Sequence, residues 1–203
     1  MSQTPHFVDA LDEQSVATLS TMIGKEWGGF YAIKVPVAPT HFTAWERIGL
    51  QLVDECVRIN TEFLDLPLYE DFDEDVGHLS VDTAKSWRSR KKDVTLHKIF
   101  AGEVIGEIKV ARVDVRYFVR EFTMWTLSTV WGVVFTLDSG VIAIVKDTYQ
   151  GIWLRALIAD SLENLDVHLA TMEWTQENLE AEAVGEKFEA ELSFISVQDF
   201  MGD

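Results

Sequence analysis

Cysteine is almost missing from this chain of 203 residues: Cys56 stands alone, so no intramolecular disulfide can form. A lone thiol among apolar neighbours reads as a small buried hydrophobe rather than a nucleophile. Basic residues are also scarce, 17 against 34 acidic ones, for a formal charge of -17. Such a surface repels nucleic-acid phosphates and attracts basic partners. No apolar run reaches the roughly 20 residues that a membrane helix needs. The most apolar window, Met124 to Leu137, is interrupted by Thr126, Ser128, Thr129 and Thr136. Asp9, Asp12 and Glu13 fall where a signal peptide would carry its apolar core, so secretion by that route is not expected. The expectation is a soluble cytoplasmic protein without a membrane segment.

Catalytic and cofactor signatures are missing too. There is no phosphate-binding lysine loop, no dinucleotide glycine fingerprint and no Gly-x-Ser-x-Gly elbow. The histidines, His6, His41, His78, His97 and His168, contain no pair at the spacing of a helical metal site, and no cofactor or metal is expected. Asp71, Asp73 and Asp75 alternate as in a calcium loop, but the glycine is Gly77 where position 76 is wanted, and Asp82 stands where a bidentate Glu belongs. A solvated acidic loop is the simpler reading.

What is present is a strong β signal. Trp131 to Leu137 and Val141 to Val145 are rich in β-branched and aromatic residues and flank an Asp138-Ser139-Gly140 turn. Both runs are apolar on both faces, which places the hairpin inside its sheet and not at an edge. A third strand follows over 151–158, with Arg155 its one charge. Upstream, Val94 to Phe100 and Val104 to Val110 alternate, and the buried parity then changes to Val113, Val115, Tyr117 and Val119, requiring a bulge or bend near Ala111. Two further strands are expected over 167–175 and 188–197.

The N-terminal part reads differently. Apolar positions over 7–23 suit a helix, 30–35 a short strand, and Phe42, Trp45, Ile48, Leu52, Cys56, Ile59 and Phe63 recur at helical steps, with Arg58 spaced to pair with Asp54 and Glu62. A mixed-charge loop occupies 67–92. The fold expected is therefore α+β, a single domain over 1–203 with N-terminal helices packed on a mainly antiparallel sheet with a central meander.

Charge layout directs the functional reading. Residues 160–203 hold twelve acidic side chains and one basic one, Lys187, a net -11. A non-catalytic binding protein follows from this, with Glu173, Glu177, Glu180, Glu182 and Glu186 docking on the basic surface of another protein. In general character the chain resembles immunity proteins and other inhibitors of toxins or enzymes, although no motif carries that resemblance. A rival reading uses Lys85, Trp87, Arg88, Arg90, Lys91 and Lys92 to hold an anion or nucleic acid, with Trp87 stacking on a base. The net charge makes nucleic acid the weaker alternative. A third reading is an enzyme with a site assembled from distant residues, His97 and a nearby carboxylate serving as acid and base. Glu103 with Glu107, and Asp114 with Glu121, are carboxylate pairs only if the sheet brings them together.

Overall fold

A computed structural model describes residues 4–34, 41–68, 74–87, 93–147, 153–165 and 185–200. The chain is overwhelmingly antiparallel β-sheet. In order, the elements are β1 (His6–Asp9), α1 (Glu13–Ser20), β2 (Trp27–Lys34), β3 (His41–Trp45), β4 (Arg47–Leu52), β5 (Cys56–Leu66) and β6 (Glu74–Ala84). Then come β7 (Thr95–His97), β8 (Glu107–Val119), β9 (Phe122–Leu137), β10 (Gly140–Lys146), β11 (Trp153–Ala159) and β12 (Glu186–Ser196). One sheet runs β12-β8-β9-β10-β11-β3-β2-β4-β5-β6, with β1 added in parallel to β9 and β7 added to β2.

The expected α+β fold is therefore wrong in its N-terminal half. The helix expected over 42–63 is the meander β3-β4-β5. Its apolar residues satisfy two periods at once, and the shorter one wins. Ile48, Leu50 and Leu52 alternate inward on β4, and Val57 and Ile59 do so on β5 after a reversal at Val53-Asp54. Arg58 pairs not with Asp54 or Glu62 but with Asp82, directly opposite on β6, through two hydrogen bonds of 2.5 and 2.8 Å. The mixed-charge loop is likewise a strand from residue 74 to 84, and Asp75 lies within it opposite Asp65. Of the expected N-terminal helix only α1 remains, capped by Asp12, whose carboxylate accepts from the Ser15 N–H at 2.6 Å.

The hairpin β9–β10 lies inside the sheet, and every residue of β10 is buried. Ile142 and Ile144 face one apolar cluster, and Val141, Ala143 and Val145 the other. Near Ala111 the register slips: Ala111 faces Gly132 and Arg112 faces Val130, leaving Trp131 as the extra residue. The bulge is thus in β9. β8 keeps its parity, so Arg112, Asp114 and Arg116 extend the face that Ile108 and Val110 present to the first core cluster.

That cluster joins strands far apart in the sheet order. Leu79 and Val81 of β6 share it with Val130, Val133 and Phe135 of β9, and α1 contributes Val16 and Leu19. The sheet has curled until β6 returns beside β1, and side chains close the gap. The Ser15 hydroxyl accepts from the Val81 N–H at 2.8 Å and donates to the Val81 carbonyl at 3.4 Å, so a helix side chain occupies part of an otherwise unpaired strand edge. No helix among the described residues is long and apolar enough to cross a membrane.

Candidate functional site

Two polar groups flank the ladder between β1 and β9, one on each face. Strand alternation sorts them: Asp9 and Thr129 point to one side, His6, Val8, Thr126 and Ser128 to the other.

On the first side a closed network forms. Lys146 ends β10, and its ammonium is fully buried, as is the Asp9 carboxylate. Lys146 Nζ donates to the Gly77 carbonyl at 2.5 Å, to Thr129 Oγ1 at 2.9 Å and to Asp9 Oδ2 at 3.5 Å. The Thr129 hydroxyl donates to Asp9 Oδ2 at 2.6 Å, and His78 Nδ1 meets Asp9 Oδ1 at 2.6 Å. Burial works to raise the Asp9 pKa, but the hydrogen bond from His78, the Lys146 charge and the Thr129 hydroxyl outweigh it and hold the carboxyl below its ordinary range. The same bond to Asp9 raises His78 above its ordinary value against the pull of burial. An ammonium has three donors, and here all three are used; the Thr129 hydroxyl both gives and receives. Neither group is left to act as nucleophile or base. The network cross-links β1, β6, β9 and β10 where the curled sheet closes.

On the second side the group is open. The registers build a grid across four strands: Glu189, Arg116, Thr126 and His6 in one row, Glu191, Asp114, Ser128 and Val8 in the next, Ser193, Arg112 and Val130 in the third. Arg112 Nε and Nη2 both reach Asp114 Oδ2 at 3.2 Å, and Ser128 Oγ donates to Asp114 Oδ1 at 2.5 Å. His6 Nδ1 bonds Thr126 Oγ1 at 2.7 Å. A cavity of about 280 Å³ opens here, walled by Val8, Val130 and Phe200 beside Arg112, His6 and Ser128. A shallower hollow over Asp114, Arg116, Glu189 and Glu191 adjoins it.

The residues singled out from sequence fall elsewhere or outside the described residues. Glu173, Glu177, Glu180 and Glu182 lie outside them, as do Arg88, Arg90, Lys91, Lys92, Asp71 and Asp73. Glu186 sits on the apolar side of β12 by alternation and accepts from the Tyr117 hydroxyl; burial first, and then this carboxylate, push Tyr117 up to about 12. Lys85 is exposed. Trp87 stacks on Tyr31 at 5.5 Å and packs against Gly49, which consumes ring surface that a base would need. His97 bonds the Ala32 carbonyl at 3.0 Å and packs on Phe42, and no carboxylate contacts it among the described residues. Arg155, the odd charge of the third strand, is paired with Asp147. Glu103 accepts from the Ser139 N–H in the hairpin turn, and Glu107 pairs with Lys109. No cluster of three metal-binding side chains occurs among the described residues.

Sequence reasoning overlooked Asp9, His78, Thr129, Lys146 and the pairing of Arg112 with Asp114. One signal was available: a lysine closing a strand that is apolar on both faces has nowhere to go but inward, and a buried lysine demands a counter-charge. No family model, curated protein or solved structure matches this chain.

Proposed function

We propose that the protein is a non-catalytic binding module whose acidic surface docks on a basic partner protein, as an inhibitor or immunity-type protein does. The observation that carries this reading is on β12. Glu191 lies directly across from Asp114, with Glu189 one row away, on a face that is exposed from Lys187 to Glu191. Like charges directly opposite destabilise a sheet pair. Arg112 and Ser128 hold Asp114, and Lys187 holds Glu189, but Glu191 has no cation among the described residues. A lysine or arginine from a partner would relieve that repulsion. The total charge of -17 would steer such a partner from a distance.

The Asp9 network supports the same reading from the other direction, since Asp9, Thr129 and Lys146 are buried and bonded to one another where the sheet closes. The test is a titration with arginine-rich peptides and with basic proteins encoded beside this chain, at low and at physiological ionic strength. Binding weakens with salt, and it weakens further when Glu189 and Glu191 are both changed to Gln. Binding indifferent to salt and to both substitutions would remove the charge argument.

A further inference from the structure

We propose that the cavity between β1, β8 and β9 binds a small carboxylate with an apolar body, Arg112 receiving the carboxylate and Val8, Val130 and Phe200 enclosing the body. This site adjoins the Glu191 surface through Asp114 but takes a ligand of opposite charge, so Arg112→Gln and the Glu189 and Glu191 changes test the two proposals separately.

Donor counting is the first reason. A guanidinium carries five N–H donors in a planar fork. Asp114 Oδ2 accepts from Nε and lies 3.2 Å from Nη2, which leaves at least three N–H donors with no acceptor among the described residues. Asp114 is itself fixed by Ser128, so the guanidinium is held in one orientation before any ligand arrives. Asp114 and Ser128 are positioning residues. A pre-oriented fork is suited to a planar carboxylate, which it meets through two parallel hydrogen bonds.

The fold supplies the second reason. β8 carries Ile108 and Val110 on the face lining the first core cluster, and Arg112 follows on that same face. The cavity is therefore where the apolar lining of the curled sheet runs out toward solvent. One end is core-like, through Val130, and the other is polar, through Arg112 and His6. Val8 adds an apolar wall that is 57% exposed. At about 280 Å³ the space lies just below the usual range for ligand pockets, which limits the occupant to a small molecule.

The net charge of -17 does not defeat this. Screening at physiological salt has a length of about 8 Å, so carboxylates on distant strands count for little beside a guanidinium in direct contact. Asp114 is already engaged by Arg112 and Ser128, and Asp9, which also lines the cavity, has its carboxylate engaged by Lys146, Thr129 and His78.

The test is calorimetric titration of the full chain with the straight-chain series from acetate to octanoate, alongside inorganic phosphate and the matching alkylammonium ions. Affinity should rise about fourfold per methylene until the cavity is full, the equivalent of about 0.8 kcal/mol per buried CH₂. Phosphate and alkylammonium should bind at least tenfold more weakly than hexanoate. Arg112→Gln should lose at least tenfold toward every carboxylate. Val8→Glu, at an exposed position that tolerates it, should do the same without touching the guanidinium. Alkylammonium binding as tightly as carboxylate, phosphate binding with no dependence on chain length, or carboxylate binding unaffected by both substitutions would each overturn the proposal, as would the absence of saturable binding.

Discussion

Ser128 and Thr129 are neighbours in sequence, both bear hydroxyls, and both serve a carboxylate, yet they belong to opposite kinds of site. Thr129 sits in a buried network: Asp9 and Lys146 are fully buried, Thr129 bonds both, and His78 reaches Asp9 through Nδ1. Ser128, on the reverse of the same strand, steadies Asp114, which in turn steadies an arginine with donors to spare. Saturation identifies a group that holds the fold together. Surplus, beside a cavity, identifies a group able to hold something else. The lesson is to count donors and acceptors before assigning chemistry to a cluster of polar residues.

Lys146→Met should separate the two sites most strongly. It removes one member of a buried ion pair and leaves Asp9 under-compensated, a loss of about 3–5 kcal/mol. Urea unfolding measures it, and a loss below 1 kcal/mol would show that the closure does not depend on this pair. Asp9→Asn combined with Lys146→Met should cost less than the sum of the two single changes.

Thr129→Val comes next, at about 1–3 kcal/mol, because it strips a buried donor and acceptor from partners that cannot reach water. Ser128→Ala should cost under about 1 kcal/mol, since Asp114 is part-exposed and keeps Arg112. Equal losses for the two would erase the distinction between the faces.

Stability against pH sharpens the same comparison. The Asp9 carboxyl is held below its ordinary value of 3.8, so its contribution is complete above that value and is lost as pH falls through the folded pKa. The His78 pKa is raised above 6.5, so its contribution is complete below 6.5 and is lost as pH rises through the folded pKa. Both act together between those two ordinary values, where stability should be greatest. His78→Asn should flatten the decline on the alkaline side, which urea midpoints across the range would reveal.

The sheet from β8 onward was legible because its signals are local and agree: the Asp138-Ser139-Gly140 turn and two-sided apolar runs. The apparent parity change near Ala111 instead marks where burial of β8 passes from one core cluster to the other, with its faces unchanged. A Cβ on Gly140 would run into the Ala159 carbonyl, so the turn's glycine is also required by the third strand. The N-terminal half was misread because Ile48, Leu52, Cys56 and Ile59 fit a helical stripe as well as two alternating strands, and only the tertiary pairing decides. The sites were not legible for another reason. Asp9 and Lys146 are 137 positions apart, and Arg112 looks like any charged residue on the outer face of a strand until β1 is laid alongside β9.

The most direct measurement compares Thr129→Val with Arg112→Gln, recording the urea midpoint and the hexanoate affinity of each. Thr129→Val should unfold at lower urea and bind hexanoate as the parent does, while Arg112→Gln should keep the parent's midpoint and lose at least tenfold in affinity. Loss of binding in the first, or loss of stability with intact binding in the second, would contradict the assignment of one face to structure and the other to recognition.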